Sequence, residues 1–479
     1  VLVWLLLVAM LLFVIQVGVV LLVEFRNPSK TTAWLLIIFM FPVIGFFLYY
    51  MIAGEYRKRR YVRRHGRSRV RYVLPEAARH KIAVANNVKE MNNIDIAKQK
   101  RLFSLLKSFP ESPITLCNQS EIFSDGTATF DAIFKALEQA RHHIHLEYYI
   151  IHSDTIGTAV KEILIRKAQE GVEVRLLFDG LGCYKLPSAY IAELQQGGVK
   201  VGCFFPLRNA FLTRRLNYRN HRKIIVVDGT VGFLGGINIG DEYLGRNPKF
   251  GFWRDTHMRL EGDAVYFLQQ TFINDWAFVK GEKLTDSVYY PEHKCTGDER
   301  VQIMSSGPDG EWDTILELYF AAISTAVQRI HIVTPYFIPD PSLLMAIKTA
   351  ALSGVDVKVI LPGISDHILV KWASFAYIEE LMRAGVRFFL YQGGFIHAKI
   401  MIVDETLGTV GTANLDMRSF FDNFEINAVM FAKKTIQDLE DDFGEDLGNC
   451  KEIVPEEFAK RTNYQRMKEV LARMLSPLM

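Results

Sequence analysis

Residues 221–238, HRKIIVVDGTVGFLGGIN, lie over residues 397–414, HAKIMIVDETLGTVGTAN, without a gap. Each copy reads His-x-Lys, four residues, Asp, then a small pair (Gly235-Gly236, Gly411-Thr412) and an Asn (Asn238, Asn414). No other feature constrains the fold as strongly, because two copies of one strand call for two related lobes. Side chains at i and i+2 of a strand share a face, so each copy presents an imidazole beside an ammonium while IIVVD or IMIVD continues as buried strand.

The repeat extends well beyond the motif. The helical face Phe130, Ile133, Phe134, Leu137 falls at i, i+3, i+4, i+7 and is followed by HIHLEYYII (143–151), a helical stretch to Glu170, Gly171 and VEVRLLFD. RIHIVTPYFI (329–338), a helical stretch from Ser342 to Ser353, Gly354 and VDVKVILP repeat that order, and QQGGVKVGCFF (195–205) answers MRAGVRFFLY (382–391). Strands alternating with helices predict α/β sheets with helices on both faces. The first half carries a longer approach to its histidine, NAFLTRRLNYRN (209–220), whose interleaved aromatic and basic residues fit either a lipid contact or an ordinary surface connection.

Ahead of the body, residues 1–23 hold a single polar side chain, Gln16. As a helix they reach about 34 Å, enough for a hydrocarbon core of roughly 30 Å. The run reads as a membrane span rather than a secretory signal, which would carry a basic leader, a shorter apolar stretch and a small-residue cleavage site. A second apolar run, 32–54, is interrupted by Pro42 and Gly45 and is expected to be kinked or re-entrant. Residues 55–71 then hold nine Arg or Lys against one Glu; without them, the chain's 56 basic and 53 acidic residues leave a mildly acidic body. Such a juxtamembrane cluster marks the cytoplasmic side, and fits either orientation alone or attraction to an anionic membrane surface. The five cysteines show no Cys-x-x-Cys spacing and are expected to be reduced thiols in a cytosolic body. The expected organisation is a transmembrane hairpin (1–54), a basic linker (55–100), a first lobe (101–290), and a second lobe (291–479) ending in an amphipathic helix. In that helix Met467, Val470, Leu471, Met474 and Leu475 make an apolar face flanked by Arg466, Lys468 and Arg473, which fits a helix lying on the membrane, although docking on the body is the commoner fate of such a helix.

Brought together by the pseudo-twofold relation of the halves, the two motifs surround one anionic centre suited to a phosphodiester. Lys223, Lys399, Asn238 and Asn414 then hold its non-bridging oxygens, one histidine attacks phosphorus and the other protonates the leaving alkoxide. With a cationic cage present no Mg²⁺ is demanded and no cofactor is expected. His142, His143, His145 and His152 alternate poorly for a metal-ligand set and read as structural.

At residues 221–228 and 397–404 the chain resembles the phospholipase D superfamily, which carries this HxKxxxxD signature twice. The resemblance runs from about residue 100 onward. It implies a bilobal α-β-α sandwich with the site between the lobes, a phosphohistidine intermediate, and structural roles for Asp228 and Asp404. It also implies an acidic residue that orients each imidazole through its second nitrogen. Glu425 in NFEINAVM is the expected partner of His397, and Asp255 in FWRDTHMRL that of His221. The apolar spans joined by RNPSKTTAWLL, the HLEYYI and TPYFIP strands and the ending RTNYQRMKEVLARMLSPLM are most similar to the bacterial cardiolipin synthases. That resemblance implies an inner-membrane, multi-pass enzyme that joins two phosphatidylglycerols into cardiolipin and glycerol, with His221 as nucleophile and His397 as acid and base.

A hydrolytic phospholipase D would use the same residues with water as acceptor, and a phosphatidylserine synthase would use CDP-diacylglycerol and serine. A nucleic-acid-binding role is disfavoured, because the basic run abuts a membrane span and the remaining body is mildly acidic. Oligomeric state is not legible in the sequence.

Overall fold

The computed structural model describes residues 2–24, 28–52, 100–206, 218–293 and 297–476, together with 79, 82 and 295. The basic run 55–71 and residues 207–217, which include 209–217 of the longer approach to His221, lie outside the described residues.

Two mixed sheets form the body. In the first lobe the strand order is Lys200–Phe204, Glu173–Asp179, His143–Tyr148, Ile224–Val227, Val231–Gly235, Trp253–Glu261, with the first three parallel. In the second lobe Arg387–Tyr391, Asp356–Pro362, Arg329–Val333, Ile400–Val403, Leu407–Gly411, Asn423–Met430 repeat it, again with three parallel strands at one side. The long strand Ile114–Asp125 serves both sheets. Residues 119–125 pair with Trp253–Glu261, while Ile114, Thr115 and Asn118 pair with Glu299–Ser306, which in turn pairs with Asn423–Met430. At the changeover Cys117 takes φ 59°.

Helices cover both faces of each sheet, as the alternation of the sequence requires. On the first lobe Gly126–Gln139 starts at Asp125, whose carboxylate accepts the Ala128 N–H at 2.9 Å. It buries Phe130, Ile133 and Leu137 against strand residues Ile144, Leu146 and Ile225. The opposite face is covered by Val265–Lys280, and in the second lobe by Lys433–Gly448. Residues of these two helices join Ile224, Val226, Leu234, Met258, Ile400, Ile402, Ile426 and Ala428 in one apolar cluster that spans both lobes. The shared core holds the two motif strands in fixed relation, which a site assembled from both lobes requires.

The cysteine expectation is corrected. Cys117 and Cys295, 178 residues apart, form a disulfide with Cα atoms 4.7 Å apart, and Cys183, Cys203 and Cys450 are free. Sequence spacing carried no sign of it, because the pair meets only where the shared strand passes the segment joining the lobes. His143 and His145 are likewise committed to packing. Both hydrogen-bond to Gln269, at 2.9 and 2.8 Å, and His145 stacks on Phe272.

At the front, Leu2–Glu24 is long and apolar enough to cross a membrane. The second apolar run does not continue straight. Pro28–Met40 and Pro42–Ile52 lie against each other, with Trp34 and Tyr49 edge to face at 5.3 Å. At 13 and 11 residues each is too short to span the hydrocarbon core alone. Gly45 permits the close approach, since a Cβ there would stand 2.9 Å from the Ile38 Cα. The turn lies at Phe41–Pro42, where proline cannot donate to the preceding helix.

Candidate active site

Each motif histidine is delivered by a two-residue strand that leaves its own lobe. Arg219–Asn220 pairs in parallel with Asn423–Met430 of the second lobe, and the His221 N–H donates to the Phe424 carbonyl at 3.0 Å. Phe395–Ile396 pairs with Trp253–Glu261 of the first lobe, and the His397 N–H donates to the Arg254 carbonyl at 2.7 Å. One position further along each register the imidazole meets a carboxylate. His221 Nδ1 lies 3.0 Å from both Glu425 oxygens, and His397 Nδ1 lies 2.9 Å from Asp255 Oδ2.

This exchanges the partners expected from the sequence. Glu425 belongs to His221 and Asp255 to His397. Spacing within a lobe was the wrong measure, because the residues before each histidine add to the acid-bearing strand of the opposite lobe. His-x-Lys itself sits just ahead of the ladder strands Ile224–Val227 and Ile400–Val403 rather than within them. Lys223 Nζ turns back to the His221 carbonyl at 2.8 Å, and Lys399 Nζ donates to the His397 carbonyl while lying 2.8 Å from that ring's Nδ1.

Electrostatically the two halves form one centre that is not symmetric. Burial, then Glu425 opposed by Lys399, leaves Lys223 down at about 7, and burial against the pull of Asp255 and Glu425 leaves Lys399 at about 8. Burial and the charges of Lys223, Lys399 and His397 hold His221 well below the usual imidazole value. His397 is also lowered, by burial and Lys399, but its hydrogen bond to Asp255 opposes the shift. The acids differ in direction. Burial raises Glu425 to about 7 despite hydrogen bonding from Thr412 and the charge of Lys223. Asp255 feels the same burial, yet Lys399 and the His397 hydrogen bond outweigh it and bring it below the ordinary range.

Asp228 and Asp404 point elsewhere. The Asp228 carboxylate accepts the N–H groups of Arg141, His142 and His143 at 2.7–2.9 Å, and Asp404 does the same for Val327, Gln328 and Arg329. Each closes the turn after its motif strand onto the start of a parallel strand, with φ 52° at both aspartates. Asn238 accepts the Ile150 N–H at 3.2 Å and reaches the Tyr243 hydroxyl at 3.3 Å. Asn414 differs from it: its buried Oδ1 has no hydrogen-bond partner among the described residues.

Other residues of the centre escaped the sequence reading. Tyr149 stands edge-on to His221 with centroids 4.9 Å apart, and Trp253 lies 5.4 Å from the His397 ring. Arg222, the middle residue of the first motif, pairs with Asp275 and donates to the carbonyls of Glu425 and Ser306 at 3.1 Å, bracing the partner lobe's acid strand. The signal was present in the alignment, where Arg222 stands over Ala398. The small pair also differs between copies. Thr412 donates its hydroxyl to Glu425, whereas a Cβ at the equivalent Gly236 would fall 1.9 Å from Asp255 Oδ1. Gly236→Ala therefore displaces Asp255 from His397, and kcat is expected to fall at least about 10²-fold, as for misplacements near 1 Å. Thermal melting of the variant, measured beside its kinetics, separates this from unfolding.

The family model for "Cardiolipin synthase, PLD-like domain" matches the chain twice, over residues 133–276 and 319–447, one match on each lobe. The chain belongs to this family. A phospholipase D-nuclease N-terminal model matches residues 2–54. The cardiolipin synthase of Halalkalibacterium halodurans is 43% identical over 472 residues, covering 97% of this chain and 92% of that protein. Cardiolipin synthase 2 of Bacillus cereus is 44% identical over 465 residues, covering 97% and 89%. Among solved structures, phosphatidylserine synthase from Haemophilus influenzae superposes with a TM-score of 0.61 over 80% of this chain and all of that one. At 15% identity that likeness speaks to fold alone.

Proposed function

We propose that the chain is a cardiolipin synthase, a phosphatidyltransferase that joins two phosphatidylglycerols and releases glycerol. The observation that carries the mechanism is the crossed pair of dyads, His221–Glu425 and His397–Asp255, around two buried lysines. The near full-length identity to cardiolipin synthases supports the choice of lipid.

His221 is the nucleophile. Strongly disfavoured as a cation, with Nδ1 engaged by Glu425, it offers the Nε2 lone pair to phosphorus. His397 is the general acid, because the ionised Asp255 stabilises its protonated form. In the first step a bond forms between His221 Nε2 and phosphorus, the bond to the glycerol oxygen breaks, and that oxygen takes the proton of His397. In the second, neutral His397 takes the proton from the terminal hydroxyl of another phosphatidylglycerol, whose oxygen displaces His221. Over the two steps together one phosphodiester replaces another, with the phosphohistidine between them, so the exchange needs no activated donor. Lys223 and Lys399, with Asn238 and Asn414, hold the non-bridging oxygens. An arriving phosphodiester restores lysine charge that burial has weakened, making the cage strongest when it is occupied.

The enzyme resides in a bacterial membrane, anchored by Leu2–Glu24 and the folded-back second run. The basic residues 55–71 favour a cytoplasmic body, and the Cys117–Cys295 disulfide is the feature that argues for an oxidising side.

Reconstituted protein given phosphatidylglycerol labelled in its free glycerol is expected to release one labelled glycerol per cardiolipin formed. Phosphatidic acid without cardiolipin would make the chain a hydrolase. Product only from CDP-diacylglycerol and serine would make it a serine-accepting transferase.

A further inference from the structure

The C-terminal helix Asn463–Leu475 is mounted with its polar side inward. Glu469 and Ala472 are buried, and Arg461 pairs with Glu469 and with Glu379, the latter at 2.6 Å. Arg473 donates to the Ala376 carbonyl at 3.3 Å and lies over the Tyr377 ring, while Lys468 lies 5.0 Å over Trp372. All these partners except Arg461 and Glu469 stand on the helix Ile368–Arg383. The face that the sequence marked as apolar therefore points away from the body. Tyr464, Met467, Val470, Leu471 and Met474 are between 39 and 61% exposed, which corrects the expectation that this face docks on the body. Charged groups anchor the helix because Lys468 and Arg473 find partners on the neighbouring helix and Glu469 finds Arg461. Among the described residues nothing equivalent covers the five apolar side chains.

We infer that this face is an interfacial membrane-binding helix that seats the catalytic body on the lipid surface. Three observations select a bilayer as the occupant. First, the helix lies against Pro28–Met40, the start of the folded-back apolar hairpin, so the exposed face continues an apolar surface already meant for lipid. Second, Lys30 at the start of that hairpin forms a buried pair with Asp422, at 3.5 Å, in the segment between Asn414 and Glu425. The hairpin thus meets the body beside the second motif. Third, the helix on which the C-terminal helix rests begins at the mouth of the site. There Ile364, Ile368 and Leu369 are exposed, and Asp366 between them, bonded to Tyr336, acts on the charge of His397 and Lys399. Arg466, which donates to the Ala459 carbonyl at 2.7 Å, and Lys468, which lies over Trp372 and Tyr464, border the apolar face and put positive charge beside it. The arrangement sets the mouth at headgroup height, where both lipids of the proposed reaction present their phosphates. To that extent the inference rests on the proposed substrate class.

The test uses the full chain in phosphatidylglycerol/phosphatidylethanolamine vesicles that contain a phospholipid with a photoactivatable diazirine in its acyl chain. Label is expected on peptides covering residues 464–475 as well as on Leu2–Glu24. The combined variant Met467→Gln/Val470→Gln/Leu471→Gln/Met474→Gln is expected to lose the 464–475 label about fivefold while keeping that on Leu2–Glu24, which verifies insertion. Its KM in surface mole fraction of phosphatidylglycerol should rise several-fold at a kcat within about twofold of the parent. The His221→Ala protein should be labelled as the parent is, so a failed label and a failed catalytic reading remain separable. Absence of label on 464–475 beside a labelled Leu2–Glu24 overturns the inference. So does a variant that falls from an oligomer to a monomer, which would make the face a contact between copies.

Discussion

His221→Ala is expected to lower cardiolipin formation by on the order of 10⁵-fold and to leave no phosphatidyl adduct on the protein after rapid denaturation. His397→Ala should lose comparable turnover but behave differently with a phosphatidyl ester of p-nitrophenol. That leaving group needs no proton, so attack by His221 proceeds and the adduct accumulates for want of a base to activate the acceptor. The asymmetry comes from the carboxylates: Asp255 is held ionised by Lys399 and His397, whereas Glu425 is raised to about 7. An imidazole beside the firmer anion keeps its proton more readily, which is the requirement for an acid. Adduct on His221→Ala and none on His397→Ala would reverse the two roles.

Replacing Asp255 by Asn is expected to reduce kcat by roughly 10³–10⁴, the scale on which an orienting carboxylate acts through its histidine. With the p-nitrophenyl ester, however, Asp255→Asn should retain rapid adduct formation, because only the dyad of His221 is needed. Glu425→Gln should slow that same burst. If the acids served histidines of their own lobes, the two variants would trade behaviours, so the burst rate tests the crossing directly. The pH profile gives a second reading. Raising pH through about 7 converts Glu425 to the carboxylate that holds His221 Nδ1–H, and kcat/KM should climb. Lys223, at about 7, loses its charge over the same range and Lys399 follows at about 8, so kcat/KM should pass through a narrow maximum and then fall. Glu425→Gln should flatten the acid limb and leave the alkaline limb in place.

The crossing also explains which parts of the site could be read from the chain. His221, Lys223, His397 and Lys399 were legible because two nearby residues and a buried strand are a local pattern, and its repetition excludes chance. Asp228 and Asp404 were legible for the same reason, each bonding back to a strand start that the repeat also marks. Glu425 and Asp255 were found as residues but assigned to the wrong histidines. Their distance along the chain is set by loops and strands of one lobe, whereas their distance in space is set by pairing between lobes. Gly236 and Thr412 occupy matching positions but serve unlike acids, a difference invisible until the carboxylates are placed.

The sequence alone determined the α/β class, the apolar front and the phosphodiester chemistry, since each follows from periodicity or spacing within a few residues, and the duplication, since its two copies align without a gap. Tertiary structure decided the exchange of acids, the Cys117–Cys295 bond, the folding back of the second apolar run and the outward turn of the C-terminal helix. Amphipathicity tells how many faces a helix has, but which one meets the body depends on the partners available there. For Asn463–Leu475 the available partners were Glu380, Trp372 and Tyr377, with Arg461 for Glu469, and they took the charged side.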